Sequence, residues 1–192
     1  MYAFLLSTAV IFVAELGDKS QLMAMTFATR YRVRDVLIAI TAATAVVHLI
    51  SVGLGAWVGT AFESYQGIIS IVAGIAFLIF AAWTLRGDEL TDDEADKARR
   101  STGTALIAVG SAFFLAELGD KTMLATITLA TQEGWLGTWI GSTVGMVAAD
   151  ALAIGVGAVL GRKLPEKAIR YGAAAAFVVF GLLLIAEGLG WF

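Results

Sequence analysis

The chain has 192 residues, of which 59% are hydrophobic and only 15% charged, with a formal net charge of −3 at pH 7. Its mean hydropathy is +0.84, whereas an average soluble domain is about 45–50% apolar and about 25% charged. A soluble fold this short has too little interior to hide so much apolar surface, so lipid must cover part of it. The absence of cysteine excludes disulfides, thiolate metal sites and cysteine redox chemistry.

Stretches near the ~20 apolar residues that cross a bilayer fall, in chain order, at 3–29, 36–58, 66–85, 104–131, 135–160 and 169–187. The first is not expected to be a cleavable signal, because it lacks a basic start and runs on through Glu15, Asp18 and Lys19. A basic joint, Arg30 to Asp35, follows it, and Phe62 to Gln66 separates the second stretch from the third. Residues 87–103 are rich in Asp, Glu, Lys and Arg without apolar periodicity, which reads as a solvated linker. Pro165, the only proline, sits between the fifth and sixth stretches, where it breaks no helix. The pattern predicts an all-α integral membrane protein with six transmembrane helices. It divides into a three-helix unit over 1–86, a cytoplasmic linker over 87–103 and a second three-helix unit over 104–192.

All but two of the 13 Lys and Arg residues fall in the first, third and fifth joints. Six crossings place those joints on one side, and basic loops stay cytoplasmic, so both termini are expected outside the cytoplasm. The two exceptions, Lys19 and Lys121, lie inside predicted spans.

The chain repeats itself. Ala14-Glu15-Leu16-Gly17-Asp18-Lys19-Ser20 recurs 102 residues later as Ala116-Glu117-Leu118-Gly119-Asp120-Lys121-Thr122. The register holds onward through Thr26 with Thr128, Thr29 with Thr131, and Gly53-Leu54-Gly55 with Gly155-Val156-Gly157. It sets His48 opposite Asp150. A duplicated unit of three helices enters the membrane from opposite sides, giving an inverted-topology repeat, an arrangement that builds transporters with a site at the repeat interface near the midplane.

In each motif the two carboxylates are three residues apart, so an unbroken helix would carry both on one face. An ionisable group at the bilayer centre costs about 2.5–3.5 kcal/mol on the insertion scale, so Glu15, Asp18, Lys19, Glu117, Asp120 and Lys121 need partners, water or an ion. Four carboxylates and two lysines leave two negative charges, which one divalent cation neutralises. Carboxylate and hydroxyl oxygens suit hard ions such as Ca²⁺, Mn²⁺ or Mg²⁺, with Ser20, Thr122 and Gln21 as neutral donors. Each lysine is expected to balance carboxylate charge while no metal is bound. The bland alternative is that Glu15 pairs with Lys19 and Glu117 with Lys121 at i,i+4 spacing. It leaves Asp18 and Asp120 unexplained. Gly17 and Gly119, unfavourable inside a helix by about 1 kcal/mol relative to Ala, suggest a local break or a close helix approach at each motif.

The doubled Glu-x-Gly-Asp-Lys-(Ser/Thr) motif resembles the signature of the Golgi calcium/manganese antiporter family and its bacterial manganese exporters. The resemblance covers essentially the whole chain. It implies secondary transport of Mn²⁺ or Ca²⁺ out of the cytoplasm against protons, with Glu15, Asp18, Glu117 and Asp120 as the cation site. A bacterial inner membrane is the expected location. Adjacent negative charge and loss of water favour protonation of carboxylates in general, which suits exchange of metal for protons at the same acids.

Asp150 and His48 are candidate proton-linked or supporting residues; the plain alternative for His48 is a packed neutral histidine. The cation and protons are the expected partners with the bilayer, with no nucleic acid and no tightly bound cofactor. A cation channel or an exporter of another small solute is the alternative within transport. An intramembrane enzyme fits less well, because no Ser/Lys, Asp-pair or zinc motif is present.

Overall fold

In a computed structural model, residues 1–86, 103–160 and 166–191 are described. They form α1 (Tyr2–Glu15), α2 (Lys19–Ala28), α3 (Val33–Ala61), a 3-10 turn (Glu63–Tyr65), α4 (Gln66–Arg86), α5 (Ala105–Glu117), α6 (Lys121–Ala130), α7 (Trp135–Leu160) and α8 (Glu166–Gly188). The predicted linker over 87–103, apart from Gly103, and the joint at Pro165 lie outside the described residues.

This corrects the expectation of six transmembrane helices. Among the described residues only four helices are long and apolar enough to cross a membrane: Val33–Ala61, Glu63–Arg86, Trp135–Ala158 and Arg170–Gly188. The first and fourth predicted spans are each split in two. At 1.5 Å per residue, α1, α2, α5 and α6 are only about 15–21 Å long, short of a hydrocarbon core of about 30 Å. The orientation of the termini rested on six unbroken crossings and falls with that count. The repeating unit is two half-helices followed by two long helices.

The split is local chemistry. After α1, Leu16 turns extended at φ −61° and ψ 121°, Gly17 takes φ 78°, and Asp18 is extended as the N-cap of α2. The second copy repeats this, with Leu118 at φ −66° and ψ 113°, Gly119 at φ 80° and Asp120 as N-cap of α6. A left-handed backbone costs an L-residue about 1–2 kcal/mol, and glycine lacks the Cβ that causes the clash. Apolar periodicity continues through both motifs, which is why hydropathy alone reads one span where there are two helices.

Small residues set how the elements pack. Along α7, Gly137, Gly141 and Gly145 meet Ala3, Phe4 and Thr8 of α1, and a Cβ on Gly145 would come within 2.6 Å of the Thr8 carbonyl oxygen. On the other side, Gly55 of α3 meets Ile127 of α6, and Gly59 meets Thr131 at that helix's C-cap. The counterpart of the Gly55–Ile127 contact, shifted by the repeat in both members, is Gly157 on Met25, and it is present. Helices α4 and α8 run antiparallel, with Gly67 against Gly188 and Gly74 against Gly181. Where α3 crosses α7, the Thr44 hydroxyl donates to the Met146 thioether at 3.2 Å, and these two residues are 102 apart. The halves are therefore exchanged by an approximate two-fold relation passing between Thr44 and Met146.

Two apolar cores result. One joins α2, α3 and α5 through Met23, Phe27, Ile40, Val109 and Phe113, with Ile154 of α7. The other joins α1, α6 and α7 to the α4–α8 pair through Ile11, Leu129, Met146, Phe77 and Phe177. Outward, α4 leaves Ile68, Val72, Ile75 and Ile79 about half exposed or more at helical spacing. Such a continuous apolar stripe is what lipid covers, and the chain is an integral membrane protein.

Candidate functional site

The two helix breaks bury the motif side chains. Glu15, Asp18, Ser20, Gln21, Glu117, Asp120, Lys121 and Thr122 are all at most 5% exposed, whereas Lys19 is half-buried. Each break sets a glutamate on the last turn of one half-helix and an aspartate at the N-cap of the next. The aspartate thus faces the partial positive charge at a helix start. The same break removes the uninterrupted helix that the alternative reading, i,i+4 pairing of Glu15 with Lys19 and of Glu117 with Lys121, requires.

Hydroxyls order the glutamates. Ser20 Oγ donates to Glu15 Oε1, and Thr122 Oγ1 donates to Glu117 Oε2 at 2.9 Å. Ser20 also meets Asp18 Oδ2, through its backbone N–H at 3.4 Å and its hydroxyl at 3.3 Å. Lys121, from the second motif, donates to Asp18 Oδ1 of the first. Asp18, Glu117, Asp150 and Lys121 all lie within electrostatic reach of Glu15, and Asp120, Asp18 and Asp150 lie within reach of Glu117. The fold therefore gathers both motifs into one charged centre. Among the described residues, no three His, Asp or Glu side chains stand close enough together to hold a metal ion in this arrangement.

The two breaks differ in how they are tied down. Gln21 Oε1 accepts from the Gly17 N–H at 2.8 Å, and its Nε2 donates to the Ala149 carbonyl of α7 at 2.9 Å. At the second break the Gly119 N–H reaches only the thioether of Met123, at 3.2 Å, a weak acceptor. Asp150 joins the charged centre from α7. Its repeat counterpart His48 is equally buried, but no ionisable side chain among the described residues acts on it. The structure thus separates two residues that the repeat had made equivalent. Neither the Gln21–Ala149 tie nor the Lys121–Asp18 pair is visible in residue spacing, because each joins different halves of the chain.

Outside the spans, Glu133 lies between α6 and α7. Partial burial, then the charge of Glu187, holds its carboxyl above the ordinary glutamate value. Both acids line a cavity of about 300 Å³ that also includes Tyr2, Thr128 and Gln132.

The family model for the divalent cation/proton antiporter GDT1 matches residues 3–92 and 105–191. The chain belongs to the GDT1 family. It is 34% identical, over 95% of its length and 90% of the relative, to a Vibrio cholerae protein called "Putative manganese exporter". It is also 30% identical to the Arabidopsis thaliana chloroplast protein PAM71, over 96% of this chain and 56% of that protein. A Synechocystis GDT1-like protein is 28% identical over 94% of this chain and 95% of its own length. The chain spans a little over half the length of the plant relative. No solved structure matches it. As a GDT1-family member it is a transporter, and the doubled motif sits within both matched segments.

Proposed function

We propose that this chain exports Mn²⁺ or Ca²⁺ from the cytoplasm in exchange for protons, holding the cation between the two broken helices with Glu15, Asp18, Glu117 and Asp120. The observation that carries this reading is the Lys121–Asp18 pair. It puts a positive group of one motif on a carboxylate of the other, at a centre both motifs share. A divalent cation entering there competes with the Lys121 ammonium for Asp18, and once Lys121 withdraws the oxygens converge on the ion. Ser20 and Thr122 hold Glu15 and Glu117 in place and offer further hard oxygen donors. Half-helix ends add backbone dipoles, as discontinuous helices do at transporter sites.

Protons complete the cycle at the same acids. Crowded carboxylates shielded from water favour protonation when the cation departs, so each departing ion is replaced by protons. Apolar space lies beside the half-helices, lined by none of the motif acids. A cavity of about 400 Å³ lies against α2 at Met25 and Thr29, and one of about 510 Å³ lies against α6 at Ile127 and Thr131. The proposed location is the plasma membrane of a bacterium, in line with the near-complete alignment to the Vibrio cholerae relative.

The test is cation uptake into proteoliposomes under an imposed pH gradient, comparing Mn²⁺, Ca²⁺ and Mg²⁺ while recording internal pH. Exchange predicts a proton signal in fixed proportion to cation moved. Cation flux with no linked proton movement would identify a channel and overturn the reading.

A further inference from the structure

We propose that Asp150 is a further ligand of the transported cation, supplied by the long helix α7 to the site between the two broken helices. This rests on the reading of the motif acids as that site and adds a residue from outside both motifs.

Asp150 is fully buried, and neither of its carboxylate oxygens has a hydrogen-bond partner among the described residues. A buried charge is ordinarily paired or bound to metal. Here the surroundings make pairing harder: Asp18 acts on Asp150, and Asp150 in turn acts on Glu15 and Glu117, all of the same sign. The ammonium of Lys121 is on Asp18. A buried carboxylate with both oxygens open, within reach of other carboxylates, supplies oxygens of the kind a hard divalent cation takes once they converge on it.

Its position is also fixed. The preceding residue, Ala149, accepts the side-chain N–H of Gln21, and Gln21 itself accepts from the Gly17 N–H inside the first break. The register of α7 against the first motif is therefore set one residue from Asp150. The opposite half offers no carboxylate at the equivalent place: His48 stands there, with both ring nitrogens likewise unpartnered among the described residues.

Asparagine matches aspartic acid in shape but carries no charge and replaces one oxygen with an NH2 group that cannot ligate a hard cation, so it separates a ligand from an acid that only fills space. The experiment is calorimetric titration of MnCl₂ and CaCl₂ into the purified full chain in lipid nanodiscs, alongside the melting temperature without cation. Asp150→Asn is expected to weaken binding at least tenfold while melting no lower than the parent protein. Affinity within twofold of the parent would overturn the proposal. Glu15→Gln, measured in parallel, keeps the two readings apart. Loss in Glu15→Gln with normal binding in Asp150→Asn sinks this proposal alone; the reverse overturns the motif reading and, with it, the placement of Asp150 at a shared site. If Asp150→Asn does not fold, Asp150→Glu decides. A longer arm moves the oxygens, so the electron paramagnetic resonance spectrum of bound Mn²⁺ should change together with affinity, and an unchanged spectrum and affinity would refute the assignment.

Discussion

Lys121 of the second motif reaches across the molecule to Asp18 of the first, with side chains 4% and 0% exposed. Two segments a hundred residues apart in the chain thereby share one buried ion pair. Breaking a buried pair by removing one partner is costly, about 3–5 kcal/mol, because the remaining charge is left uncompensated.

Lys121→Met should therefore lower stability by about that amount in cation-free buffer. Since a divalent cation is proposed to take the place of the ammonium, it should rescue the variant. Thermal unfolding in nanodiscs with and without Mn²⁺ or Ca²⁺ is the check. The expected result is a larger cation-induced rise in melting temperature for the variant than for the parent; equal rises would argue against competition at Asp18.

The helix breaks predict a different behaviour at Gly119. A Cβ there would touch nothing within 4 Å, yet φ is +80°. Backbone strain is then the whole effect, and Gly119→Ala should cost about 1–2 kcal/mol. Gly119→Asn should lose less, since Asn enters the left-handed region more readily. Denaturation of the three proteins side by side tests the order.

Packing glycines behave in the opposite sense. Gly145 has no room for a Cβ, which would lie 2.6 Å from the Thr8 oxygen and 3.0 Å from the Phe12 nitrogen, whereas Gly53 has nothing within 4 Å. Gly145→Val should push α1 off α7 and reduce the yield of monodisperse protein, in line with overpacking costs of about 1–3 kcal/mol or more. Gly53→Ala should be neutral or stabilising by up to about 1 kcal/mol, through helix propensity. Size-exclusion profiles and melting temperatures distinguish the two.

Glu133 gives a pH signature. Its folded-state pKa is raised above 4.5 by burial and by Glu187, so the folded protein holds this proton more tightly than the unfolded chain. The ionised group then opposes folding. The penalty is absent below the ordinary value of 4.5, grows as pH rises, and is complete above the raised value. Glu133→Gln should melt higher than the parent at pH 7 and equally at pH 4. A constant difference across that range would contradict the assignment.

Much of this site could be read in the residues. The exact recurrence of Glu15, Gly17, Asp18 and Lys19 in Glu117, Gly119, Asp120 and Lys121 exposed the duplication and the shared chemistry, and the two glycines hinted at a break. The number of continuous helices could not be read, because Leu16 and Leu118 keep the apolar run intact while the backbone turns. Nor did spacing reveal which lysine meets which acid. Pairing within a motif requires an unbroken helix, and once the helix ends at Glu15 and Glu117, the partners come from across the two-fold. The same relation made His48 and Asp150 look alike, whereas in the fold Asp18 acts on Asp150 and no described ionisable side chain acts on His48.

Under the proposed function, acids from both broken helices jointly hold the transported cation. This is tested most directly by Mn²⁺- and Ca²⁺-driven proton flux in proteoliposomes containing Glu15→Gln or Asp120→Asn, one variant from each motif. Both variants are expected to lose at least tenfold in flux while inserting and folding as the parent does. Normal flux in both would show that these acids do not hold the cation together.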